Sequence, residues 1–90
     1  MEIQRTIPVE GGTLRVEILS EEEGGSLVIK GEGLVDSGFL PERFLDERLG
    51  EGWRGEYEME VRSRRVLQLR LGIPPLRIRQ QVQFCVRRPI

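Results

Sequence analysis

Apolar and polar residues alternate along most of this chain with a period of two. From Glu2 to Val9, Ile3, Ile7 and Val9 share one parity; from Thr13 to Leu19, Leu14, Val16 and Ile18 alternate with Arg15 and Glu17. Successive side chains of a strand point to opposite faces, so each run predicts a strand with one apolar face. Glu10-Gly11-Gly12 between them has the composition of a tight turn, and the pair reads as a hairpin. Ser20 to Gly25 is a charged loop, and Ser26 to Lys30 (SLVIK) is a short third strand. Gly31 and Gly33 weaken regular pairing after it and predict a bulge or loop entry.

The period then changes. Pro41 suits the first turn of a helix, where its missing N–H is not needed. Phe44, Leu45 and Leu49 fall on one side, and Glu42, Arg43, Asp46 and Glu47 mainly on the other. With Gly50 at the C-terminal end, the spacing predicts a helix over Pro41–Leu49. A helix of this length is not stable alone and requires a sheet to pack on.

Strand spacing returns after Trp53. Tyr57, Met59 and Val61 alternate with Glu56, Glu58 and Glu60 in Glu56–Arg62; Arg62 to Arg65 reads as a turn; Val66–Leu71 puts Leu67, Leu69 and Leu71 on one face. Gly72-Ile73-Pro74-Pro75 interrupts the pattern. Leu76–Arg88 is the longest periodic run, with Leu76, Ile78, Val82, Phe84 and Val86 on one face and Arg77, Arg79, Gln81, Gln83, Cys85 and Arg87 on the other. The expected fold is mainly β within the α+β class. It is one domain over residues 1–90: a curled antiparallel sheet or half-open barrel of five to six strands, with one short helix on its apolar face.

Composition narrows the chemistry. The chain contains no His, no Ala and no Asn, and a single Cys. Without imidazole there is no Ser–His or Cys–His pair, and one cysteine makes neither a disulfide framework nor a thiolate metal site, so no metal, cofactor or catalytic residue is expected. No stretch approaches the roughly 20 apolar residues that span a bilayer, and the expectation is a soluble, cytoplasmic protein. Arg outnumbers Lys thirteen to one and Glu outnumbers Asp thirteen to two, a bias compatible with a heat-adapted source.

Charge is distributed unevenly. Residues 1–45 carry four basic and nine acidic side chains, a net of −5, and residues 46–90 carry ten and six, a net of +4. Arg77, Arg79 and Arg87 line one face of the last strand and Arg70 falls on a neighbouring one, a row that could clamp phosphates or acidic side chains. Glu56, Glu58 and Glu60 offer the other outcome, a cross-strand ladder in which these arginines are paired inside the fold. A second candidate is an apolar pocket around Val35, Phe39, Phe44 and Trp53, although core cover is the simpler role for Trp53.

These readings point to a small non-catalytic binding or self-assembly module, with a homo-oligomer or a protein as partner. Single-stranded nucleic acid is a further alternative partner, and a membrane is not expected.

From Leu27 to Val86 the order of features also resembles the FKBP-type prolyl isomerases and their chaperone relatives. The resemblance rests on Phe39-Leu40-Pro41 followed by Phe44, Leu45 and Leu49, then Gly55-Glu56 and a strand. It continues with Gly72-Ile73-Pro74-Pro75 followed by Val82-Gln83-Phe84-Cys85-Val86. It implies a curled antiparallel sheet around one helix, proline-isomerase or peptide-binding activity, and Val35, Phe39 and Trp53 as pocket residues. Residues 1–35 contain no aromatic, so the pocket residues which that family draws from its N-terminal half have no counterpart.

Overall fold

The computed structural model of the chain describes residues 2–20, 27–68 and 77–88. The fold is mainly β, and the described residues form five strands, one α-helix and one 3-10 turn: β1 (Glu2–Val9), β2 (Gly12–Ser20), β3 (Leu27–Asp36), α1 (Pro41–Leu49), the 3-10 turn Glu51–Gly55, β4 (Glu58–Gln68) and β5 (Arg77–Arg88). All strands pair antiparallel in one sheet of order β1-β2-β3-β5-β4. Since β3 and β4 both run opposite to β5, they run parallel to each other. Their connection must therefore cross the sheet, and α1 is the segment that crosses.

The first hairpin forms as the alternation predicts. Val9 pairs with Gly12, which leaves Glu10 and Gly11 as a two-residue loop, and Gly11 takes φ 77°, open to a residue without Cβ. The helix runs from Pro41 to Leu49 as expected, burying Pro41, Phe44 and Leu45. The register places Leu14, Val16, Ile29, Val35, Val82, Phe84 and Val86 on the same face of the sheet, where they join Phe44, Leu45 and Trp53 in a single buried core.

Two expectations are corrected. Strand β3 does not end at Lys30 but continues through Gly31 and Gly33 to Asp36. Gly31 lies directly opposite Phe84, and a Cβ there would run into the Phe84 ring. The missing side chain is what lets the ring lie across the strand, so this glycine is a packing requirement rather than a strand breaker. Likewise, Arg62–Arg65 is not a turn. It is the middle of β4, an eleven-residue strand that stays paired with β5 from Glu58 to Gln68. The loop expected at Ser20–Gly25 beyond Ser20, and the expectations for Leu69, Arg70, Leu71, Gly72-Ile73-Pro74-Pro75 and Leu76, lie outside the described residues.

Gln80 interrupts the apolar face of β5 for an identifiable reason. Its amide nitrogen lies within hydrogen-bonding distance of the carbonyls of Asp36 (3.0 Å), Ser37 (3.2 Å) and Phe39 (2.8 Å). The Asp36 carboxylate accepts from the Gly38 N–H at 2.9 Å. Together these bonds fix the short loop that launches α1. At the other end of the helix, the Trp53 indole donates to Asp46 Oδ1 at 2.7 Å, and Arg54 bridges Asp46 and Glu42. The helix and the 3-10 turn thus form one lid over the core.

That lid covers only part of the sheet. The described chain measures 56 × 24 × 19 Å, and its radius of gyration is 15.3 Å, against about 12 Å for a compact domain of this length. Beyond the lid the inner face is open: Leu67 and Ile78, opposite each other near the far end of the β4–β5 ladder, are 59% and 43% exposed, and Val61 on the edge is 47% exposed.

Candidate functional site

The outer face of the sheet carries the charged residues, and its register decides which of them meet. Reading across from β1 to β4, one row is Gln4, Glu17, Lys30, Cys85 and Glu60; the next is Thr6, Arg15, Glu32, Gln83 and Arg62. From one row to the next the sign reverses on β2, β3 and β4, while the β5 positions, Cys85 and Gln83, are a thiol and an amide. Arg15 forms an ion pair with Glu32. The Glu32 hydrogen bond, then its charge, raises the Arg15 pKa. Glu17 is held below the ordinary carboxylate range by hydrogen bonding with Glu2, then with Gln4, and by the charges of Lys30 and Arg15.

Over these rows lies a groove of about 380 Å³, lined by Arg15 and Glu17 from β2, Lys30 and Glu32 from β3, Gln83, Cys85 and Arg87 from β5, and Glu60 and Arg62 from β4. Its lining mixes both signs, which suits neither a long polyanion nor a cation. Among the described residues there is no cluster of three or more His, Cys, Asp or Glu placed to hold a metal ion.

The arginines singled out in the sequence have separate roles. Arg87 faces Glu58 across the β4–β5 ladder. Interaction with Cys85, then the charges of Glu60 and Glu58, raises its pKa. Arg79 does not stand on an open face: its guanidinium donates to the carbonyls of Gly11 and Leu34, stapling the β1–β2 turn to the end of β3. Its Nε is buried and has no hydrogen-bond partner among the described residues. Replacing Arg79 with Met keeps much of the stem's packing and removes these donors, and should lower stability by about 1–3 kcal/mol, read from the denaturant midpoint. Arg77 is the register partner of Gln68 at the start of β5. Arg70 lies outside the described residues.

The sheet also brings in two arginines that the sequence reading placed in a turn. Arg62 and Arg64 stand on the outer face of β4 in line with Glu58 and Glu60, opposite Gln83 and Gln81. Among the described residues neither makes an ion pair within the chain. The signal was present, since the parity of Met59 and Val61 continues through Ser63 and Arg65 to Leu67.

The four residues proposed as an apolar pocket are divided between core and surface. Val35, Phe44 and Trp53 are buried in the core, whereas Phe39 is half-buried with its ring 6.1 Å from that of Phe44. Phe39 and Phe44 reach a crevice of about 320 Å³ shared with charged residues such as Arg43, Glu47 and Arg48; Val35 and Trp53 do not line it.

No family model, curated protein or solved structure matches the chain. Among the described residues no helix is long and apolar enough to cross a membrane.

Proposed function

We propose that this chain is a non-catalytic assembly module whose contact surface is strand β4 with the adjoining Arg-bearing face of β5. One observation carries the reading: among the described residues β4 is a long edge strand with an open hydrogen-bonding edge, a charged row on one side and exposed apolar side chains on the other. An edge of this length is a template for another strand unless it is blocked or covered. Arg87 supports the surface from within by its position opposite Glu58, while Arg62 and Arg64 remain available to a partner.

Light scattering at low and high salt, with and without a mixed-sequence single-stranded oligonucleotide, tests this. The expected result is a mass above that of the monomer without any oligonucleotide, falling as salt screens the exposed charges. A complex that forms only with the oligonucleotide at low salt would instead assign the face to nucleic acid. A monomer that binds nothing under either condition would overturn the proposal.

A further inference from the structure

The geometry points to a second copy of this chain as the partner of β4. We propose an isologous antiparallel pairing of β4 with β4, centred on Val61, that joins two sheets into one of ten strands. The inference rests on the reading of β4 as the contact surface and goes on to specify the occupant and the register.

The argument is charge complementarity. Along the outer face β4 reads Glu58, Glu60, Arg62, Arg64, two acids followed by two bases. In an antiparallel pair related by a two-fold axis through Val61, Glu58 meets the partner's Arg64 and Glu60 meets the partner's Arg62. Symmetry repeats both contacts, giving four opposite-charge pairs side by side. Faces must match across a continuous sheet, so the register can slip only in steps of two residues. One step either way sets Glu60 against the partner's Glu60, or Arg62 against the partner's Arg62. Like charges directly opposite are destabilising, so the Val61 register is selected over its neighbours.

The inner face agrees with it. Val61, 47% exposed on the edge of the single chain, meets the partner's Val61 at the axis, and Met59 meets the partner's Ser63. The contact also closes on itself, which ends growth at a dimer. The other free edge lacks this property: the outer row of β1 is Glu2, Gln4, Thr6 and Pro8, with one charge and a residue that cannot donate to a ladder.

Two single substitutions test the register. Glu60→Arg and Arg62→Glu each turn two of the four pairs into like-charge contacts, and among the described residues neither makes an ion pair within the chain. By sedimentation equilibrium the unmodified chain should dimerise, and each variant alone should dissociate at concentrations at least about tenfold higher than those needed for the unmodified chain. An equimolar mixture should recover dimers, because every pair in the mixed complex is again of opposite sign. Circular dichroism melts check that both variants fold.

Variants that dimerise like the unmodified chain, or a mixture that gains nothing, would overturn the β4 pairing while leaving assembly through another surface in place. A folded, monomeric unmodified chain would also overturn it, and the oligonucleotide arm above would then decide whether the face binds anything.

Discussion

Replacing Phe84 with alanine is expected to remove about 3–5 kcal/mol of stability, the cost of deleting a fully buried aromatic. Phe84 is 2% exposed on the interior strand β5, lies across Gly31 and approaches the Phe44 ring at 6.1 Å. It therefore joins the sheet to the helical lid at one point. A small domain has only about 5–15 kcal/mol in total, so the variant should be partly unfolded at ambient temperature, as denaturant titration would show. Gly31→Val provides the complementary test. Alone it drives new carbons into the ring and should cost about 1–3 kcal/mol. In the Phe84→Ala background the same carbons enter the vacated space, and the combined loss should fall short of the sum of the two. Strict additivity would mean that the ring does not lie over Gly31.

Trp53→Ala should have an effect of similar size, about 3–5 kcal/mol. Trp53 is 4% exposed, its indole N–H donates to Asp46, and the guanidinium of Arg54 lies 5.1 Å from its ring centroid. The 3-10 turn that carries it has few other anchors. Trp53→Phe separates the contributions, since it keeps much of the apolar cover and removes the indole donor. Its expected cost is about 1–2 kcal/mol. If the two substitutions proved equally costly in urea melts, the hydrogen bond to Asp46 rather than burial would be what holds the lid.

Much of the architecture was legible because period and punctuation agreed. The limits of β1 and the run of α1 follow from apolar spacing, from Pro41 and from the glycines that flank these elements. Where reading failed, a distant residue had reversed the local meaning. Gly31 looks like a break until Phe84, which lies opposite it across the sheet, claims the space above it. The segment Arg62-Ser63-Arg64-Arg65 has turn-like polarity because an edge strand beyond the lid buries little on either face.

The candidate surface was visible as rows of charge on separate strands, not as a set of neighbours. Which acid meets which base depends on the insertion of β5 between β3 and β4, and no local pattern encodes that strand order. Arg79 illustrates the same limit. Its alternation places it beside Arg77 and Arg87, but the close approach of the β1–β2 turn gives its guanidinium backbone carbonyls to satisfy.

The strand order has a consequence for how the protein is made. β5 follows the other four strands in the chain, yet it sits between β3 and β4 and supplies Val82, Phe84 and Val86 to the core. A nascent chain that has delivered β1 to β4 holds a three-stranded meander and a β4 with no neighbour to pair with. The lid has nothing beneath it but half of its seat. Cooperative folding must await the emergence of β5 from the ribosome, and the contacts it then makes, with β3 above all, span long stretches of sequence and form slowly. Until then the free side of β3 and both sides of β4 are unpaired in the crowded space where nascent chains meet.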